Sequence, residues 1–163
     1  MRGDELAPTE PAVVDPAVVP VTTAASARAH VRTVVDARWG EGGDAEREQD
    51  VIDLLLVVSE LVSNAIRHGG GLAGFEAAPA RDGVRLAVHD HSDLVPAVAY
   101  GSGALPVGHH GSGYGWPLII RLSRDLAIER RPGGGKTIRV LVPLPFTTEG
   151  RRARPSPPRS SPR

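Results

Sequence analysis

Ser59-Glu60-Leu61-Val62-Ser63-Asn64-Ala65-Ile66-Arg67-His68-Gly69 is the stretch that decides the fold of this 163-residue chain. It places a carboxylate at Glu60, a carboxamide at Asn64 and an imidazole at His68, among residues that are mostly apolar. In a helix, steps of four put these three side chains on one face. Asn is a poor helix-interior residue and loses desolvation energy among apolar neighbours unless a polar group pairs with it. The pattern therefore predicts a helix that presents a polar site.

Apolar spacing extends this helix and predicts a second one. The helix that contains Glu60 is predicted to run from Glu46 to Arg67, with its apolar residues on one face. The glycines from Gly69 to Gly71 end it. The same spacing from Ala24 to Arg38 predicts another helix, which Gly40 ends.

The rest of the domain is predicted to form strands, turns and one short helix. Alternating or β-branched residues between turn signals indicate strands, and proline suits the first turn of a helix. In chain order we predict a strand from Val13 to Thr22, a hairpin of Leu72 to Ala78 and Val84 to Val88, a long loop from His91 to Gly115, a helix from near Trp116, and a hairpin of Asp125 to Arg130 and Lys136 to Leu144.

This order of elements predicts the fold class. Hairpin-joined strands and clustered helices, without strict alternation, favour an α+β two-layer sandwich over a doubly wound Rossmann domain. Residues 1–12 and 147–163 are rich in proline or arginine and lack apolar periodicity, so they are predicted to be disordered. We therefore expect one domain, over residues 13–146.

Composition excludes several classes of function. The 19 basic and 19 acidic side chains give a formal charge of zero, so no global charge steers the protein to nucleic acid or to an anionic membrane. The absence of cysteine excludes disulfides, zinc-thiolate sites and thiol nucleophiles. Acids and prolines interrupt any export signal near the start, and no apolar run approaches the roughly 20 residues of a membrane span. A cytoplasmic protein without nucleic-acid or membrane partners is expected.

The polar face of the long helix can carry chemistry. Asn64 offers a neutral oxygen of the kind that Mg²⁺ accepts, and Glu60 can accept a proton from a hydroxyl or a water beside that ion. His68, one turn further, can face a phosphate. A polar stripe on a half-exposed helix is the alternative explanation of the same three residues.

Two further segments offer ligand contacts. Glycines 111, 113 and 115 precede a helix, where free amides and a positive dipole bind phosphate, although taken alone they are better explained by a flexible helix-entry loop. Their spacing matches neither the dinucleotide fingerprint nor the phosphate loop. Asp90 ends a strand and can accept hydrogen bonds from an exocyclic amine, or it is an ordinary strand-end acid.

Two other patterns, a glycine-lysine-threonine segment and a set of histidines, give weaker indications of a binding site. Gly135-Lys136-Thr137 ends like a phosphate loop, but the residue five before Gly135 is Arg130 and the residues after it alternate, which favours a hairpin turn. Four histidines define a third candidate site, for a metal ion, although adjacent histidines rarely both bind one ion. They are His89, His91, His109 and His110.

Taken in order, these segments resemble the GHKL ATPase superfamily, which includes histidine kinases and gyrase, and most of all the small anti-sigma-factor serine/threonine kinases. The likeness covers about residues 20–145. Glu60 to Gly69 resembles the N box, which is the most specific segment, and Val88-His89-Asp90 resembles the start of the first glycine box. Gly111 to Gly115 resembles the lid glycines, and Gly135 to Thr137 resembles the segment that enters the last strand. The family's glycine box is usually D-x-G-x-G, whereas Ser92 stands here in place of its first glycine.

The resemblance implies a Bergerat-type α+β sandwich, a mixed, mostly antiparallel sheet covered on one face by helices. It implies ATP and Mg²⁺ as cofactors, with Asn64 on Mg²⁺, Glu60 as the general base and Asp90 on the adenine amino group. His68 would lie near the phosphates and Thr137 near the adenine. The lid residues over the phosphates would be Gly111, Ser112, Gly113, Tyr114 and Gly115.

Two functions follow from the resemblance. The first is an anti-sigma-type kinase in transcription regulation, which phosphorylates an anti-anti-sigma (STAS-type) partner, sequesters a sigma factor, or does both. The second is a non-catalytic protein-binding module of the same fold. The 163 residues contain neither the dimerisation helix nor the phospho-acceptor module of a sensor histidine kinase, so a stand-alone unit is expected, and a homodimer is left open.

Overall fold

The computed structural model describes residues 20–41, 43, 45–96 and 115–144. These residues form three α-helices and four β-strands. In chain order the elements are α1 (Ala24–Trp39), α2 (Ala45–His68), β1 (Leu72–Ala80), β2 (Gly83–Asp90), α3 (Gly115–Leu122), β3 (Arg124–Arg130) and β4 (Lys136–Pro143).

The four strands form one sheet in the order β1-β2-β4-β3, and every pairing among them is antiparallel. The sequence predicted a mixed, mostly antiparallel sheet, but the described strands contain no parallel pair. β2 and β4 occupy the centre, where Val88 pairs with Ile138 and His89 pairs with Thr137. In an antiparallel sheet, directly opposed residues share a face and neighbours along a strand alternate. This register fixes which side chains reach the helices.

The helices cover one face of the sheet, and the core lies between the two layers. α2 contacts β2 and β4 and has α1 and α3 packed against it. Its core-facing side is fully buried at Leu54, Val58 and Leu61, which belong to one buried cluster with residues of β2 and β4 such as Val88 and Ile138. The predicted α+β sandwich with helices on one face is therefore confirmed.

Local signals set the limits of the helices. Thr23 caps α1, since its hydroxyl accepts a hydrogen bond from Ser26 N–H while the Ser26 hydroxyl accepts one from Thr23 N–H. α2 ends where Gly70 adopts a φ of 72° and the Gly71 amide bonds back to the Ala65 carbonyl. Within the described helices, none has both the length and the apolarity needed to cross a membrane.

The sequence predictions match these elements to within one or two residues, except for the first strand. That strand was predicted over residues 13–22, of which 13–19 lie outside the described residues and 20–22 form no strand. The disordered ends and most of the loop after His91 also lie outside them, so those predictions remain predictions.

Burial on α2 gives a direct stability test. Leu54 is 0% exposed and Leu56 is 43% exposed on the same helix. We expect Leu54→Ala to lower the free energy of unfolding by about 3 kcal/mol, because it removes buried methyl groups and leaves a cavity. Leu56→Ala removes the same atoms from the solvent side and should cost less than about 1 kcal/mol. Urea denaturation of the two variants measures the difference, and equal losses would contradict the assigned helix orientation.

Candidate functional site

A pocket of about 430 Å³ opens where the end of α2 meets the ends of β2 and β4. Side chains from both layers and from the segment after β2 contribute to its walls. The lining residues are Asn64, His68, Gly69, Asp90, Leu94, Val95, Pro96, Trp116, Lys136 and Ile138. The walls are thus mainly apolar, with a few polar groups that converge, which is typical of a ligand site.

α2 brings two of its three predicted polar residues into the pocket wall. Asn64 and His68 line the pocket, and His68 is exposed. Glu60 lies one turn earlier, and its carboxylate reaches the position that a side chain on Gly115 would occupy, with Asn64 Nδ2 close by. The start of α3 therefore lies against Glu60 and close to Asn64, which lines the pocket.

Asn64 carries an unsatisfied polar atom. Its Nδ2 is buried and makes no hydrogen bond within the described part of the chain. A buried donor without a partner costs about 1–3 kcal/mol, so such a group in a pocket wall is suited to a ligand.

Asp90 lines the same pocket and lies against the glycine that follows α2. A Cβ on Gly69 would lie 2.5 Å from Asp90 Oδ2 and 2.7 Å from the Ala65 carbonyl oxygen, so only glycine lets the two elements approach this closely. The approach is tied by a hydrogen bond of 2.8 Å from His91 N–H to the Gly69 carbonyl. Glycine is required at position 69 because of the short contact distance. Backbone conformation is not the reason, because the φ of Gly69 is not in the left-handed region.

The carboxylate of Asp90 is paired with a buried lysine. Lys136 Nζ lies 2.7 Å from Asp90 Oδ2, and the two side chains are 4% and 3% exposed. Lys136 Nζ also donates to the Ser92 carbonyl at 3.1 Å. Asp90 Oδ1 accepts from Ser92 N–H at 3.0 Å. Ser92 thus contacts both members of the ion pair through its backbone.

The β3–β4 hairpin contacts the pocket wall around Asp90. Gly135 N–H donates to Asp93 Oδ1 at 2.9 Å, and Arg131 Nη1 donates to the Asp90 carbonyl at 3.4 Å. The hairpin therefore holds the segment after β2 in place through both backbone and side-chain contacts. The sequence prediction of a hairpin turn at Gly135 agrees with this arrangement, because β3 and β4 pair on either side of it.

Thr137 does not line this pocket. It pairs with His89, and its hydroxyl lies 2.8 Å from His89 Nδ1, so its position near the adenine stays a prediction. His89 Nε2 in turn lies 3.1 Å from Glu76 Oε1. These three side chains occupy the sheet face that the helices leave open. Lys136, the preceding residue, faces the pocket instead.

The remaining predicted residues are only partly described. Gly115 begins α3 beside Glu60, whereas Gly111, Ser112, Gly113 and Tyr114 lie outside the described residues. Within the described ranges, no cluster of three His, Asp or Glu side chains has a geometry that could hold a metal ion. His109 and His110 of the suggested histidine site lie outside those ranges.

Sequence reasoning missed several pocket residues, among them Lys136 and Trp116. Lys136 was assigned to a turn and to the start of a strand, and Trp116 to the start of a helix, yet both line the pocket. A signal for Lys136 existed, because it precedes Ile138 and Val140 by steps of two and so shares their buried face. Trp116 stands in the first turn of a short helix, where no periodicity indicates its direction.

Known proteins resemble this chain in sequence and in structure. The model of the histidine kinase-like ATPase domain family matches residues 20–141. Among solved structures, the nucleotide-free catalytic domain of the histidine kinase ThkA matches with 13% sequence identity and a TM-score of 0.46, over 76% of this chain and 95% of that chain. No curated protein sequence matches the chain. The family match spans every residue that lines the pocket.

Proposed function

Because the chain belongs to the histidine kinase-like ATPase domain family, we propose that it binds ATP with Mg²⁺ in this pocket and transfers the γ-phosphoryl group to a serine or threonine of a partner protein. The observation that carries the proposal is that Asn64 of α2 and Asp90 of β2 line one pocket. A carboxamide in the pocket wall suits Mg²⁺, and a carboxylate in the same wall suits a base amino group.

The residues at the α2 end fit a magnesium ion. Asn64 has a buried amide nitrogen without a partner, and rotation of the carboxamide exchanges that nitrogen with its oxygen. Asn64 would then hold the ion through Oδ1, a neutral oxygen of the kind that Mg²⁺ accepts beside phosphate oxygens. When bound, Mg²⁺ would neutralise charge on the phosphates.

Glu60 is the proposed general base. Its carboxylate lies against Gly115 and beside Asn64, the residue proposed to hold Mg²⁺ next to the phosphates. In the transfer, the partner's hydroxyl oxygen attacks the γ-phosphorus, the bond to the β-phosphate oxygen breaks, and ADP leaves. The hydroxyl proton passes to the Glu60 carboxylate. Free amides in the first turn of α3 would stabilise charge that develops on the transferred group.

The proposed partner is an anti-anti-sigma (STAS-type) protein, a sigma factor, or both, so that the protein would act in transcription regulation. This part of the proposal is supported by the likeness of Glu60 to Gly69 to the N box of the anti-sigma kinases. For transfer, a partner serine would have to reach the Glu60 carboxylate, which lies beside the first residue of α3.

A non-catalytic binding module of the same fold is the second candidate. One observation favours it: Lys136 and the Ser92 amide already engage both oxygens of Asp90. If these contacts leave Asp90 too weak an acceptor for a base, the domain would work by protein contact alone.

Calorimetric titration with ATP, with and without Mg²⁺, separates the two candidates. We expect the wild type to bind ATP more tightly with Mg²⁺, and Asn64→Ala to lose at least about tenfold in that magnesium-dependent affinity, since even outer-shell partners of metal ligands contribute 10–100-fold. Gln49→Ala is a matched control, because it removes a carboxamide from the start of α2 that bonds only Asp53 there. Absence of wild-type binding at millimolar ATP would overturn the kinase proposal and leave the binding module.

A further inference from the structure

The buried pair of Asp90 and Lys136 is the most unusual polar feature of the pocket. Lys136 is the only lysine of the chain, and its side chain is 4% exposed. Burying an ammonium group removes it from water at a cost that its partner offsets only in part. A buried ion pair therefore adds little net stability over an apolar pair of similar volume. Its position in the pocket wall calls for an explanation in terms of binding.

The hydrogen bonds show what the lysine does to the carboxylate. Asp90 Oδ2 faces Lys136 Nζ at 2.7 Å, while Oδ1 faces Ser92 N–H at 3.0 Å. Two donors on the two oxygens fix the rotation of the carboxylate plane. Each carboxylate oxygen can accept more than one hydrogen bond, so acceptor capacity remains toward the pocket.

The lysine is itself held in place. Its second hydrogen bond goes to the Ser92 carbonyl at 3.1 Å, and its strand begins directly after Gly135, whose amide bonds Asp93. An ammonium group has three donors, so after these two contacts one remains. Lys136 is thus anchored at the junction of β4 and the segment that follows β2.

From these contacts we propose that Lys136 is a positioning residue for base recognition, which fixes the Asp90 carboxylate so that it accepts a hydrogen bond from the amino group of the nucleobase. The inference rests on the proposed ATP binding and adds a residue to it. Without the lysine, Asp90 would be a buried charge with no counter-charge, and it would turn or draw water into the pocket. Binding energy that depends on the base amino group would then be lost.

A pair of nucleotides isolates this effect. ATP and purine riboside triphosphate differ only in the 6-amino group, so the ratio of their dissociation constants measures the contact to Asp90. In the wild type we expect ATP to bind about 10- to 100-fold more tightly, as for a hydrogen bond to a charged group. Lys136→Met should reduce that ratio to less than about threefold while changing the affinity for purine riboside triphosphate little.

Three further variants distinguish positioning from a general loss of structure. Lys136→Arg keeps the positive charge and should restore part of the ratio. In the Asp90→Asn background, Lys136→Met should have no further effect on the ratio, because the lysine acts only through the carboxylate. This double variant buries no unpaired charge, so the ratio of dissociation constants can be measured in it even if Lys136→Met alone fails to fold. Arg139→Met is the matched control, since it removes a cation from the open face of the same strand.

The outcomes distinguish a failure of the role proposed for Lys136 from a failure of the proposed ATP binding. A wild type that binds neither nucleotide overturns both the ATP proposal and this one. A wild type that binds ATP, together with a Lys136→Met variant that keeps the full ratio, overturns the role of Lys136 and leaves ATP binding intact. A Lys136→Met variant that weakens both nucleotides equally shows a purely structural residue and also overturns the inference.

Discussion

Glu60→Gln is expected to slow phosphoryl transfer by about 10²–10⁴-fold, the usual contribution of a positioned general base. A carboxamide has nearly the shape of the carboxylate but cannot take the proton of the attacking hydroxyl. Glu60 does not line the pocket itself and lies one helical turn from Asn64, against Gly115. The affinity for ATP should therefore stay within about threefold of the wild type, because ground-state contacts are kept.

The measurement is single-turnover transfer from radiolabelled ATP to an anti-anti-sigma protein, with slow release of free phosphate as a readout that needs no partner. Asp53→Asn is the control, since it makes a carboxylate-to-carboxamide change on the same helix where the side chain bonds Gln49. An unchanged transfer rate in Glu60→Gln would exclude Glu60 as the base. Wild-type protein that binds ATP but transfers nothing would favour the binding module.

The long helix and both hairpins could be predicted because their signals are local. Apolar residues on one side of α2 determine its buried face, and turn residues at Asp82 and Gly133 separate strands that pair with their neighbours. The spacing of Asn64 and His68 likewise placed both on one helix face, and both line the pocket. Periodicity was therefore sufficient to predict features that depend on a single helix or hairpin.

Assignments that depend on two elements were harder. Thr137 was predicted near the adenine from its position in a motif, yet it does not line the pocket, because side chains along a strand alternate and a step of one residue reaches the opposite face. Ile138 and Val140 are buried against the helices, so Lys136 shares their face and Thr137 does not. The ion pair of Asp90 with Lys136 joins β2 to β4 across a long separation in sequence, which no local pattern reports.

Gly135→Ala is expected to lower the free energy of unfolding by about 4 kcal/mol, through a backbone collision added to an unfavourable backbone conformation. Gly135 has a φ of 81°, and a Cβ placed on it would meet the carbonyl oxygen of Asp90 and crowd the backbone of His91. Backbone atoms cannot move aside as a flexible side chain can. The substitution must therefore push the hairpin away from the end of β2.

The adjacent glycine supplies the control. Gly134 has a φ of 102°, and a Cβ on it would meet nothing within 4 Å, so Gly134→Ala should cost only the conformational term of about 1–2 kcal/mol. Denaturant unfolding of both variants therefore measures the collision as a difference. Equal destabilisation would show that the hairpin does not press against Asp90. A larger loss in Gly135→Ala, with weaker ATP binding in the protein that remains folded, would show that the close approach of hairpin and strand end also shapes the pocket.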